Sequence, residues 1–384
     1  MRVDAIDVAI IGGGVAGLAA AISFARNGLK VCLLEQNNEF GKLIKGEVIR
    51  KSAEVFKALF NEAGLPKSAI QIVYKTARYY TPSTKKTALR TFPDGEKIGI
   101  DYRELINALV KIAIQEKVSF SLNSKVIDFI KEGDQIIGVV YQQFGQIRQL
   151  VPKLIICAAG LHGNLSLPEE IKSPKNVSPA LKIIVDNMNI PNPNELEFFL
   201  LEIPSVAWIF PKSKSKAELG IAIWMDQFPE ANKINLSELF EKYIKTHPIL
   251  KTRLHNATFI YYQKEWVAFG GPVKQLFVPN VFYVGDVVGT VLSIGGSGII
   301  SSMTIGYDLG RSLGKTLKEK GTLQNDDFET AQKELMKSEV WKKLKKEQST
   351  AKIMRELLYN PLKSPEEIDL LWDKFKQLIE SRGA

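Results

Sequence analysis

The sequence predicts a mixed α/β chain: a parallel-sheet domain opened by a β-α-β unit, an inserted α+β domain with an antiparallel sheet, and a helical C-terminus. Three observations carry this expectation. The stretch "VAIIGGGVAGLAAAISFARNGLKVCLLEQ" (8–36) sets two short apolar runs around a glycine-rich turn and a segment of helical period. Five strand-like segments, "ALKIIVD", "ELEFFLL", "SVAWIFP", "AELGIAIWM" and "NATFIYYQ", crowd residues 180–263. After Gly321 the chain becomes helical and lysine-rich.

Within the first stretch, "DVAIIG" reads as a buried strand ending at Gly12. "AGLAAAISFARNG" has helical apolar spacing and ends at Gly28, a residue suited to close a helix. "LKVCLLE" is then a second buried strand, so the unit has the length that a crossover connection needs. Gly12, Gly14 and Gly17 fit G-x-G-x-x-G. In that pattern the first glycine permits the tight turn, the second lets backbone approach a pyrophosphate, and the third brings helix against strand. The helix N-terminus faces the phosphates, so Ala16 in its first turn joins the candidate set. Glu35, at the tip of the second strand, is placed with Gln36 to accept from ribose hydroxyls, and an acid there repels a 2′-phosphate. This Rossmann-like unit predicts a dinucleotide site; NAD and FAD both fit it.

The bulk numbers exclude other classes. At 384 residues the chain exceeds one ordinary core and suits two interlocked domains. No run of about 18 uncharged apolar residues is present, so no membrane-spanning segment is expected. The sequence enters a strand almost at once, and a secretory leader is not expected either. The two cysteines, Cys32 and Cys157, lie in apolar strand-like runs and read as buried thiols of a cytoplasmic protein. No metal site is predicted. The net charge of +9 comes from lysines spread along the chain, which argues against a nucleic-acid partner. The densest basic block, "KSEVWKKLKKEQ" (337–348), reads as a solvated helix face or as a contact with anionic lipid that would place the protein peripherally at a membrane.

Two later stretches bear on the cofactor. "VPNVFYVGDVVGTVLSIGGSGIISSMTIGYDLGRSLG" (278–314) holds a buried strand ending in Gly285-Asp286, a glycine-rich loop, and a helix beginning near Gly298 and Ile299. It resembles the "GD" segment of the para-hydroxybenzoate hydroxylase-like flavoprotein superfamily, which implies FAD. On that resemblance Asp286 holds a ribityl hydroxyl, and the helix start offers N–H groups to the flavin ring. "GIDYRELINALVKIA" (99–113) places Arg103 where the superfamily has an arginine near the FAD diphosphate. "KLIICAAGLHGNLS" (153–166) stands where the superfamily has a strand followed by Asp-Gly; Gly160 is kept, and Ala159 replaces the acid. His162 nearby has no visible partner and reads as an ordinary loop histidine. Residues 118–160 read as a strand, a three-stranded meander with turns near Gly133 and Gly145, and a buried strand. The meander is a habit of the superfamily, and the strand with Val126 falls where backbone meets adenine.

Within the superfamily the chain resembles the geranylgeranyl reductase branch. "VAWIFPKSKSKAELGIA" (206–222) is similar to its Y-x-W-x-F-P motif followed by a glycine: Trp208, Phe210, Pro211 and Gly220 match, and Val206 replaces the tyrosine. "GGSGIISSMTIGYDLG" (295–310) is similar to the branch's G-E-G-I-x-x-A-M-x-S-G helix start, with Ser297 for Glu and Ser302 for Ala. Ser293 stands in place of a proline. "FGKLIKGEVI" (40–49) keeps Gly46 of P-G-x-K-x-C-G, but Ile44 or Lys45 occupies the cysteine position.

The resemblance implies an FAD-dependent oxidoreductase that reduces isoprenoid double bonds of a prenyl lipid or another hydrophobic molecule, with electrons from NADPH or ferredoxin. An aromatic or lipid monooxygenase and a non-redox flavin isomerase or cyclase are the alternatives. Trp208 and Phe210, two residues apart on a strand, are suited to wall a dry pocket. The expected division assigns residues 1–70, 98–175 and 276–320 to the FAD domain. Residues 71–97 and 176–275 form the substrate domain, and 321–384 the helical region, with breaks at Pro361 and Pro365.

Overall fold

Four-residue apolar runs, buried on both faces, make the middle of the first sheet. The computed structural model describes residues 5–42, 48–133, 135–161, 168, 170–171, 174–227 and 233–381. It opens with β1 (Val8–Ile11), α1 (Val15–Arg26) and β2 (Val31–Leu34), the two strands pairing in parallel. Every residue of α1 from Val15 to Phe24 is buried. Its alanines allow that, since a small side chain lets a helix lie close to a sheet on one side and another helix on the other.

The chain continues through β3 (Val48–Arg50), α2 (Glu54–Phe60), β4 (Ile70–Tyr74), β5 (Thr76–Tyr80), β6 (Thr87–Thr91) and β7 (Lys97–Ile100). Strands β3, β7 and β4 form a small antiparallel sheet, whereas β5 and β6 leave it for a larger one. Helix α3 (Tyr102–Gln115) starts on Asp101, whose carboxylate accepts from the Arg103 and Glu104 N–H groups at 2.9 and 3.1 Å. Next come β8 (Ser119–Ser121), β9 (Ser124–Glu132), β10 (Gln135–Gln143), β11 (Gln146–Leu150) and β12 (Leu154–Cys157). Strands β9 to β11 are the expected meander, and Gly145 takes the left-handed conformation its turn requires (φ 78°).

The strand-rich region supplies β13 (Val177–Asp186), β14 (Glu195–Leu200), β15 (Ser205–Pro211) and β16 (Ala217–Ile223), then α4 (Leu236–Thr246), α5 (Pro248–Arg253) and β17 (Thr258–Ala268). The chain returns through β18 (Phe277–Val278) and β19 (Val281–Tyr283) and ends in α6 (Ile299–Lys320), α7 (Asn325–Lys337), α8 (Glu339–Tyr359) and α9 (Pro365–Ser381). The first sheet runs β18-β19-β12-β1-β2-β8, parallel except at β18–β19. The large sheet runs β17-β13-β16-β15-β14-β5-β6. It is antiparallel as expected, except that β5 joins β14 in parallel.

Two readings of the C-terminal region need correction. The basic block 337–348 is not solvated throughout: its Trp341 is 3% exposed and packs with Leu344 in the main core. The helix phase points it inward while Lys342 and Lys346 stay in solvent. Pro365 does not break a helix but begins α9, where its missing N–H costs nothing. Among the described residues no helix is long and apolar enough to cross a membrane.

Candidate functional site

The glycine turn after β1 is shaped by contacts that only glycine permits. Gly12 has φ +103°, and a Cβ there would lie 2.5 Å from the Ala158 carbonyl oxygen at the end of β12. A Cβ on Gly17 would lie 2.0 Å from the Gly12 oxygen, so this third glycine brings α1 onto the strand. Gly14 has nothing within 4 Å of a built Cβ and opens onto a cavity, whose wall also includes Val15 and Ala16 of the first turn. Gly14 caps α1 without a side-chain hydrogen bond. The first N–H groups of a helix have no partner within the helix, and the cavity receives them here.

Glu35 closes one end. Its Oε2 accepts from the Gly13 N–H at 2.8 Å, and its Oε1 accepts from the backbone and side-chain nitrogens of Asn37 at 2.9 and 2.7 Å. The carboxylate is 8% exposed and tied to both strand tips, so its place is set before any ligand arrives. Gln36 and Val126, with Ser124 and Lys125 of β9, continue this wall.

The other end is built by the return through β19. Gly285 (φ +83°) lies against Ala16, with 3.1 Å between its built Cβ and the Ala16 Cβ. Asp286, Gly298, Ile299 and Ser302 line the cavity with Gly160 after β12. The Asp286 carboxylate lies 3.4 Å from a Cβ built on Gly298. Ser302 donates to or accepts from Thr290 at 2.7 Å, which ties α6 to the loop before it. Helix α6, like α1, starts without a side-chain cap. Two uncapped helix N-termini therefore converge on one cavity.

Not every expected residue is on its wall. Arg103 is exposed on α3, and the wall takes its buried neighbour Tyr102 and, after Gly41, Lys42. Gly17 acts behind the wall. Gly46 lies outside the described residues, as do Ile44, Lys45 and His162. Trp208 and Phe210 do share one face of β15, but the sheet's part of the wall is Glu265, Trp266 and Val267 of β17. Sequence reasoning missed those three, since no local motif marks them; only the long-range pairing of β17 with β13 brings them there.

The face carrying Trp208 is nonetheless ordered. Its indole lies over Gly220, the residue opposite it on β16, where a Cβ would be 2.0 Å from the ring. The indole N–H donates to Glu218 at 3.0 Å. Phe198 stacks on Tyr79 at 4.8 Å and meets Phe210 edge-on at 5.4 Å. On the same face Lys182 pairs with Glu265 at 3.3 Å, though it is 2% exposed. Burial pushes the Cys32 thiol up to about 11 and the Cys157 thiol up to about 12, which leaves neither as a nucleophile.

Comparison with known proteins agrees with this geometry. The family model described as the FAD binding domain matches residues 5–334. The chain is 25% identical over 389 aligned positions to a digeranylgeranylglycerophospholipid reductase of Methanococcus aeolicus, covering 97% of this chain and 91% of the relative. A protein of the same name from Thermoplasma acidophilum is 25% identical over 314 positions, 79% of this chain and 76% of its own. Among solved structures, a geranylgeranyl bacteriochlorophyll reductase-like protein from Thermoplasma acidophilum superposes with a TM-score of 0.82 at 22% identity, covering 96% and 90% of the two chains. The flavin-dependent brominase Bmp2 superposes with a TM-score of 0.72 at 17% identity, covering 97% and 93%.

Proposed function

This chain belongs to the FAD-binding domain family, and from that premise we propose that it reduces isoprenoid double bonds of a prenylated phospholipid. It is an FAD-dependent oxidoreductase. The donor set fits the cofactor: an open Gly14 cradle, two uncapped helix starts and a fixed carboxylate 21 residues after Gly14 share one cavity. In our reading Gly12, Gly14 and Ala16 hold the diphosphate, with Gly17 supporting them from behind. Of about four lone-pair sites on the Glu35 carboxylate, three take protein N–H groups and one serves a ribose hydroxyl. Val126 meets the adenine, Asp286 a ribityl hydroxyl, and Gly298 and Ile299 the ring. When bound, the flavin supplies hydride transfer. Glu35→Ala is expected to weaken FAD by about 1–3 kcal/mol, read by equilibrium dialysis.

The observation that carries the substrate class is whole-length similarity. The Methanococcus aeolicus relative, which aligns over 97% of this chain, inserted sheet and C-terminal helices included, is named as a digeranylgeranylglycerophospholipid reductase. The aromatic face of Tyr79, Phe198, Trp208 and Phe210 supports the reading, since a hydrocarbon lying against it would gain about 0.8 kcal/mol for each methylene buried. The large sheet is then the substrate domain, and the end of α8 with α9 braces it through Leu358, Tyr359, Ile368 and Trp372. A nicotinamide dinucleotide or a ferredoxin supplies the electrons. Contact with a bilayer would use the outer lysines of α8, Lys342 and Lys346, and co-sedimentation with acidic but not neutral vesicles tests it.

The deciding experiment is anaerobic. Dithionite-reduced protein mixed with a geranylgeranyl lipid is expected to return oxidised flavin and a product two hydrogens heavier. Reoxidation that requires oxygen and adds an oxygen atom to the product would replace this reading with a monooxygenase.

A further inference from the structure

The large sheet contributes one acid to the wall of the flavin cavity, and that acid has no part in the FAD contacts assigned above. Among the described residues the titratable side chains on this wall are Glu35, Lys42, Tyr102, Lys125, Glu265 and Asp286. Glu35 is fixed at one end by Gly13 and Asn37, and Asp286 lies against Gly298 at the start of α6. Lys42, Tyr102 and Lys125 come from outside the large sheet. Glu265 comes from β17, the edge strand of the sheet that carries the aromatic face.

Glu265 is held by two neighbours. Its Oε1 faces the Lys182 ammonium at 3.3 Å, and its Oε2 accepts from the Gln263 amide at 3.3 Å. The lysine side chain is 2% exposed and the glutamate side chain 11%, so the lysine is cut off from solvent while the glutamate lines the cavity.

This pair continues the aromatic face. One row across the sheet runs Gln263, Lys182, Gly220, Trp208, Phe198 and Tyr79, each opposite the next. Directly opposed residues share a face. Gly220 leaves the space that the Trp208 indole fills. The other carboxylate here, Glu218, accepts from that indole, and its charge acts on Lys212. A hydrocarbon lying along Phe198 and Trp208 therefore leads to Lys182 and Glu265, and so to the cavity.

Its arrival would change the pair. A carboxylate beside an ammonium and a carboxylic acid beside an amine hold the same number of protons. Water in the open cavity favours the charged form. Hydrocarbon that displaces this water makes both charges costly, and the proton then passes from Lys182 to Glu265.

We propose that Glu265, supplied by Lys182, is the acid that protonates the alkene. This role rests on the reductase reading above and gives that reaction its second hydrogen. The carboxylic O–H bond breaks, and a C–H bond forms at one alkene carbon with the electrons of the π bond. The neighbouring carbon takes a hydride, with its two electrons, from the reduced cofactor. Carboxylate and amine are left behind, and one proton from water restores the pair after the product leaves.

The first test needs no turnover. Oxidised, FAD-loaded protein is titrated with pristane, a saturated branched hydrocarbon that fills an apolar cavity and cannot be reduced. A protonated-carboxyl stretch is expected to appear in the infrared difference spectrum and to be missing from Glu265→Gln. No such signal in the parent, or the same signal in the variant, overturns the proton transfer.

The second test mixes reduced protein anaerobically with a geranylgeranyl lipid. At saturating FAD, Glu265→Gln should slow reoxidation about a hundredfold or more, and Glu265→Asp should recover part of the rate. Glu329→Gln, exposed on α7, serves as the control. Lys182→Met combined with Glu265→Gln removes both charges, so a slow double variant that melts like the parent excludes a folding defect. Reoxidation of Glu265→Gln as fast as the parent overturns the acid role. If the parent itself is not reoxidised, the reductase reading fails and takes the role with it, while the infrared signal still decides whether the pair shares its proton.

Discussion

The contact between α1 and α6 and the face of the large sheet solve the burial problem in opposite ways. Between the helices everything is small. A Cβ on Gly306 would lie 2.4 Å from the Ala16 oxygen; one on Gly310 would lie 2.6 Å from the Ser23 Cβ, and one on Gly314 2.9 Å from Asn27. Three glycines at four-residue spacing let α6 lie directly on α1, and Ala16 at the end of that contact also lines the cavity. That face of the sheet instead buries charge: Lys182 and Glu218 are each 2% exposed. The helix pair leaves no volume for adjustment, whereas the sheet is held by pairs that can be exchanged together. Rigidity thus sits beside the glycine turn, and the polar, adjustable surface sits on the large sheet.

The largest effect should come from filling the helix contact. Gly306→Leu forces a side chain into the Ala16 backbone, and overpacking of this kind costs about 3 kcal/mol or more. A fall in melting temperature accompanied by FAD release is the expected readout. A variant that melts like the parent and stays yellow would show that α6 can shift, and that the cradle is not rigid.

A smaller effect should follow in the sheet. Lys182→Met leaves the Glu265 carboxylate, among the described residues, with the Gln263 amide at 3.3 Å on its own strand as its remaining side-chain partner, at a cost of about 2 kcal/mol. Replacing both partners, Lys182→Met with Glu265→Met, should recover most of that loss, because a buried pair exchanged for apolar groups is often neutral. Urea unfolding of the two singles and the double closes the cycle. A double variant no better than Lys182→Met would mean that the sheet is as intolerant as the helix contact.

The same contrast explains what could be read from the sequence. The nucleotide end was legible because backbone geometry demands glycine at Gly12 and Gly17 and leaves a spacing pattern behind. Glu35 was legible in position but not in full: its bond to the Gly13 N–H comes from two strand tips meeting. The substrate side was opaque. Glu265 to Val267 reach the cavity through pairing with Ala180 to Ser178, 85 to 89 positions earlier, and no local pattern encodes that. Arg103, assigned by resemblance, and Trp341, set inside the basic block, both show helix phase deciding where a side chain points. That phase exposes Arg103 beside buried Tyr102 and buries Trp341 beside exposed Lys342.

The smallest effect belongs to His247, where the sheet region buries a titratable ring with no hydrogen-bond partner among the described residues on either nitrogen. It sits between α4 and α5, edge-on to Phe199 at 5.1 Å and 7% exposed. Burial holds its pKa below the ordinary 6.5. As pH falls through 6.5 the unfolded chain takes up a proton that the folded chain refuses, so the unfolded state gains protons and stability is lost. Above 6.5 the ring is neutral in both states and contributes no slope. One proton limits the effect to about 1.4 kcal/mol per pH unit. Melting of the parent and of His247→Phe between pH 7.5 and 5.5 isolates this term, because all other titrations cancel in the difference. The two should differ little at pH 7.5, and the variant should gain steadily on the parent as the solution is acidified. Parallel curves would assign the acid sensitivity to other groups and leave the helix side and the sheet side alike in their response to protons.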